Sequence, residues 1–161
     1  MPWLLRCLLL FAWLGVCAWQ DLRRREVDNW LTLGGVAVAF GWLLLTGQSW
    51  LGAPAADAAF ATLLAVLFTV PGYLLRRLGA ADVKLLVALA LASEEHLLLG
   101  TLIGAGGVSA VWALAAPSVW PRLPGHWQIF LNHLEPLTPK TRYPFVPFLM
   151  VGATITAVVL R

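Results

Sequence analysis

Residues 55–75 read AADAAFATLLAVLFTVPGYLL, a continuous apolar run whose only charge is Asp57 near its start. At about 1.5 Å per residue a helix of this length measures about 30 Å, the thickness of a bilayer's hydrocarbon core. Five further apolar segments flank it: Trp3 to Trp19, Trp30 to Thr46, Val83 to Ala92, Leu97 to Ala116, and Tyr143 to Leu160. Lipid offers the backbone no hydrogen-bond partner, so spanning segments are helices or closed barrels. These segments are continuous rather than alternating, which excludes a barrel. The expected fold is all-α: a polytopic membrane bundle of about six transmembrane helices, in one domain covering residues 1–161.

Composition agrees with this. Of 161 residues, 60% are hydrophobic and 12% charged, and the mean hydropathy is +0.81. A soluble domain is about half apolar and a quarter charged. The net charge of +3 does not point to nucleic acid, because the cations sit in short clusters between apolar segments. Cys7 and Cys17 share the first segment, with no CxxC pair to suggest zinc or a disulfide framework. Residues 1–18 resemble a signal peptide, but Val16 is wrong before a lipoprotein cysteine and more spans follow, so a retained first span is expected.

Lys and Arg give the orientation. Arg23, Arg24, Arg25, Arg76, Arg77, Lys84, Arg122, Lys140 and Arg142 fall on one side, Arg6 and Arg161 on the other. The positive-inside rule places the larger set in the cytoplasm. The fourth segment is short: Val83 to Ala92 spans about 15 Å of helix. Either it opens below the membrane surface, facing protein or a water-filled cavity, or it continues through residues 93–98 and spans normally. The proline-rich stretch from Pro117 to Arg142 is not one helix. Residues 127–135 within it read as a short interfacial helix or as a loop lid.

Acids at membrane depth are costly and usually functional. Asp57 reads as a cap or interface residue, and Glu94 and Glu95 as an outer turn. Asp21 and Asp82 differ, since each stands at the cytoplasmic end of a span, at similar depth. Two carboxylates brought together cannot both ionise, so one activates water while the other polarises a carbonyl. His96, His126 and His133 are dispersed, so no metal site is expected. The nine tryptophans fit interface belts.

Three stretches then carry a family likeness. Asp21-Leu-Arg-Arg-Arg-Glu-Val-Asp28-Asn29 resembles the first catalytic motif of type IV prepilin peptidases: aspartate, basic run, then aliphatic-proline-asparagine. Leu78-Gly79-Ala80-Ala81-Asp82-Val83-Lys84 resembles the GxGD motif of these intramembrane aspartic proteases. Tyr143-Pro144-Phe145-Val146-Pro147-Phe148-Leu149, ending at Gly152, resembles the opening of the family's last span. The resemblance implies catalytic Asp21 and Asp82, supported by Asn29, Gly79, Ala81, Lys84, Pro144 and Pro147, with no metal and no cofactor. Asp28 departs from the family's proline, and Ala81 and Val146 stand where glycine is usual.

The implied activity is an endopeptidase that removes a short basic leader from prepilins at the cytoplasmic face of the bacterial inner membrane. Prepilins or pseudopilins, the lipid bilayer and pilus-assembly machinery are the implied partners. The chain lacks the paired CxxC insertion of the longer, methylating members, so it is similar to the short Flp or Tad-type form. Two alternatives remain at this stage: a catalytically silent assembly factor, kept open by Ala81, and a small carrier or proton pathway. Lys84 reads equally as an inside anchor, a tuner of the aspartates or a substrate contact.

Overall fold

The computed structural model describes residues 2–76, 78–130, 134 and 144–159. It is an all-α bundle: α1 (Trp3–Arg24), α2 (Asn29–Thr46), α3 (Ala55–Leu74), α4 (Ala80–Ala92), α5 (Glu95–Val119), α6 (Gly125–Phe130) and α7 (Val146–Val159), with a 3-10 turn at Trp120–Arg122. Among the described residues, four helices are long and apolar enough to cross a bilayer: α1, α2, α3, and α5 with its 3-10 turn. At 13 and 14 residues, α4 and α7 reach only about 20 Å.

Several boundaries differ from the hydropathy reading. The first helix does not stop at Trp19; it carries Asp21, Arg23 and Arg24 in its last turns. Continuing the helix keeps backbone groups paired, and cations suit the negative end of the helix dipole. The Arg23 guanidinium lies 4.5 Å from the centre of the Trp19 ring. The helix closes at Arg25, whose φ of 54° is left-handed and whose N–H donates to the Asp21 carbonyl at 2.8 Å. Pro71 and Pro117 both lie inside helices. Proline removes one hydrogen bond, whereas unwinding in lipid would expose several, so neither ends its helix. Pro117 therefore belongs to α5 and does not open the long connection.

The fourth helix starts at Ala80 rather than Val83 and stops at Ala92; the version running through residues 93–98 is not formed. Ser93 leaves helical geometry and its hydroxyl donates to the Leu89 carbonyl at 2.7 Å. Glu94 then caps α5. Asp57 is not a cap: Pro54 holds that position, and Asp57 lies in the first turn of α3. In the long connection α6 is helical, and Gln128 Nε2 donates to the Trp120 and Leu123 carbonyls, both at 3.0 Å. Residues 131–133 and 135–143, with Lys140, Arg142 and His133, lie outside the described residues, as do Arg77 and Arg161.

The core forms where α4 is enclosed by the other helices. Leu14 of α1, Leu85, Leu86 and Leu89 of α4, Leu98 of α5 and Leu149 of α7 are fully buried in one cluster. The most extensive helix contact among the described residues is that of α5 with α7. A methyl group on Gly152 would stand 2.5 Å from both the Ala105 amide nitrogen and the Thr101 carbonyl oxygen. Small residues permit such an approach in lipid, where packing rather than water exclusion holds helices together.

Hydrogen bonds identify the two ends. At one end Val146 N–H donates to Asp21, and Lys84 to Asn29. At the other, Trp50 Nε1 donates to the Arg6 carbonyl and Leu51 N–H to the Ala92 carbonyl, each at 2.9 Å. The end of α1 and the starts of α2, α4 and α7 thus gather together.

Candidate functional site

Asp21 continues the buried stripe of α1. Leu10, Leu14, Cys17 and Ala18 occupy that stripe at helical spacing, and Asp21 is itself 5% exposed. Its Oδ2 accepts a 2.8 Å hydrogen bond from the backbone N–H of Val146, the first residue of α7. A carboxylate facing a helix N-terminus meets oriented N–H groups and the positive end of the dipole.

Asp82 stands in the same relation to α4. It occupies the helix's first turn, in register with Leu85, Leu86 and Leu89, all buried. Its Oδ2 accepts from Gly79 N–H at 3.0 Å, closing the cap of α4. A Cβ at Gly79 would lie 3.0 Å from Asp82 Oδ2, so any side chain there would push the carboxylate back by a few tenths of an ångström. The buried stripes of α1 and α4 merge in the common core with Val146 and Leu149. Each aspartate therefore stands at the same end of the bundle, where a buried stripe meets a helix N-terminus.

The supporting residues sort into pairs. Lys84 Nζ donates to Asn29 Oδ1 at 2.8 Å, linking the first turns of α4 and α2. This gives Lys84 a definite partner, which its charge alone did not reveal. Pro144 is fully buried beside Val146, and Pro147 is half-buried in the first turn of α7, where a missing N–H costs nothing. Ala81 lies within the first turn of α4. Among the described non-glycine residues only Arg25 and Arg76 have positive φ, so position 81 does not use the freedom of glycine.

Two contacts escaped the sequence reading. Val146 contributes its backbone rather than its side chain to Asp21, and the signal was its place between Pro144 and Pro147, where an N–H is otherwise scarce. Asp28 accepts from Gln20 Nε2 while its own N–H donates to Gln20 Oε1, both at 3.1 Å. Its φ of −58° is a value proline also adopts.

Residues 8–114, about two thirds of the chain, match the model of the type IV leader peptidase family. The chain belongs to the type IV leader peptidase family. The matched region contains Asp21, Asn29, Gly79, Ala81, Asp82 and Lys84 and ends before Pro144 and Pro147. No curated protein and no solved structure matches the chain. Membership of a leader-peptidase family, together with four helices able to cross a bilayer, makes it a membrane peptidase.

Proposed function

We propose that this chain is an aspartic endopeptidase in which Asp21 and Asp82 act as the catalytic pair. The supporting observation is that both carboxylates stand at one end of a shared core, each holding a backbone N–H. In this reading one carboxylate is ionised and takes a proton from water, whose oxygen attacks the scissile carbonyl carbon. The other is protonated and donates to the carbonyl oxygen. The tetrahedral intermediate then collapses, the C–N bond breaks and the leaving amine takes up a proton. Water is the nucleophile and both acids belong to the chain, so the step uses no cofactor.

The substrate in this reading is a Flp-like prepilin: a short basic leader ending in glycine, followed by an apolar helix lying in the bilayer. The excess of cations on the aspartate side argues for cleavage at the cytoplasmic face of the inner membrane, with pilus-assembly machinery as a downstream partner. The ordinary helical setting of Ala81 weighs against a silent assembly factor. Acids gathered at one end, rather than spread through the spans, disfavour a proton pathway.

The test is co-expression with candidate small pilins, reading the mass of each pilin by mass spectrometry. Loss of the leader mass with the parent chain, and its retention with Asp21→Asn or Asp82→Asn at matched expression, is the expected pattern. Leader removal that persists in either variant would sink the proposal.

A further inference from the structure

The far end of the bundle carries a cation the proteolytic site does not use. Arg6 stands near the start of α1, where a positive charge opposes the helix dipole; helix stability does not explain it. Its guanidinium carbon lies 5.3 Å from the centre of the Trp42 ring, and Trp42 meets Trp50 edge-on at 5.0 Å. Arg6 Nη1 donates to the Trp50 carbonyl at 3.5 Å, a long and weak contact. Arg6 Nε and Trp42 Nε1 are buried donors with no hydrogen-bond partner. Among the described residues no carboxylate pairs with Arg6. A half-buried cation with one unsatisfied N–H of its own and a second on the indole beside it lacks an anionic acceptor.

The same helix faces continue into an apolar groove. Leu9, Leu10 and Trp13 follow Arg6 at helical spacing on α1; Ala39, Val38 and Gly35 precede Trp42 on α2. These residues line a cavity of about 410 Å³ that runs from Trp50 and Ala92 at the Arg6 end to Trp30 and Leu31 at the other. Leu44 and Leu45 beside Trp42 are exposed, as a lipid-facing surface would be.

We infer that Arg6 and Trp42, with Trp50 bracing them, bind the phosphate of a phospholipid in the leaflet opposite the aspartates, with an acyl chain lying in the groove between α1 and α2. The chemistry is specific to a lipid because one ligand must satisfy both parts. The phosphate supplies the missing acceptor for the guanidinium and, with a small shift of the two side chains, for the indole, and the chain fills a cleft whose lining is mostly apolar. A free phosphate meets only the first need and an apolar helix only the second.

Native mass spectrometry of the purified full chain with added phosphatidylglycerol tests this. The parent should retain one phosphatidylglycerol under activation that strips the rest. Arg6→Gln should weaken that retention about tenfold and Trp42→Phe by a smaller factor, since phenylalanine keeps the ring but loses the N–H. Arg23→Gln, at the opposite end, should leave it unchanged. The melting temperature of lipid-free Arg6→Gln should stay within about 2 °C of the parent; if that variant fails to fold, Trp42→Phe decides. Equal retention by the parent, Arg6→Gln and Trp42→Phe would overturn the inference. So would displacement of the lipid by inorganic phosphate, which would mark a free-anion site, or by an apolar helical peptide, which would make the groove a helix-docking surface.

Discussion

The backbone N–H of Val146 donates a 2.8 Å hydrogen bond to Asp21 Oδ2 across 125 positions of sequence. That bond ties the last described helix to the end of the first, and it makes the opening of α7 part of the Asp21 environment. The same end holds the capped Asp82 and the Lys84–Asn29 link. Each of these relationships makes a measurable claim.

Asp21→Asn and Asp82→Asn should each lower leader removal by about 100-fold or more, the scale of a lost general acid or base. Asparagine keeps an oxygen that can accept from Val146 or Gly79, so both variants should insert and accumulate like the parent. Pilin processing by mass spectrometry, alongside immunoblots of the peptidase, separates chemistry from folding. Cleavage by Asp82→Asn at near-parental rate would leave only one essential acid and no catalytic pair.

The Val146 contact is tested by a pair of variants. Val146→Ala retains the donor and removes buried methyl groups, and should cost stability by about 1–3 kcal/mol while processing persists. Val146→Pro removes the donor at a helix start that accepts proline, leaving Asp21 short of a charge-assisted bond of about 1.5–3 kcal/mol. Processing should fall at least tenfold further than in Val146→Ala. Equal activities in the two variants would show that the amide does not matter to the aspartate.

Lys84 and Asn29 should behave as a coupled pair. The contact is exposed, so a double-mutant cycle with Lys84→Met and Asn29→Ala should return about 0.5–1 kcal/mol. Processing should fall several-fold rather than vanish, because the pair positions α4 and takes no proton. Complete loss of activity in Lys84→Met, with the fold intact by thermal melting, would require a more direct role.

Asp28→Pro and Ala81→Gly restore residues usual in the family and should change little. Proline fits the φ of −58° at position 28, but it forfeits both bonds to Gln20, one from the N–H and one to the carboxylate, each a loss of about 1 kcal/mol at most. Glycine at position 81 gains no conformation that the helix uses and lowers helix stability by at most about 1 kcal/mol. Both variants should process pilin within about threefold of the parent. A large gain in Ala81→Gly would mean that α4 opens differently when substrate binds.

Gly152→Ala should be disruptive despite the small change. The added methyl meets backbone atoms of Thr101 and Ala105, which cannot rotate away, so α5 and α7 must separate at a cost of about 1–3 kcal/mol. Because α7 begins at the Asp21 contact, processing should drop together with the melting temperature. An unchanged melting temperature would mean that the two helices are not in such close contact.

The six apolar segments and their helical state were legible in sequence because both depend on local quantities. Lipid demands a helix wherever about 20 apolar residues run together, and Lys and Arg counts report which ends share a side. The common end of Asp21 and Asp82 followed from that alternation. Tertiary structure alone decided which helices touch, where α4 opens, and how helices continue past Pro71 and Pro117. Hydropathy sums along the chain and carries no information about steric fit. Helix partners in lipid depend on the close approach of residues such as Gly104 and Gly152, and on backbone groups such as the Val146 amide. A backbone donor has no sequence signature of its own, so its pairing with Asp21 emerges only once α7 is packed against α1.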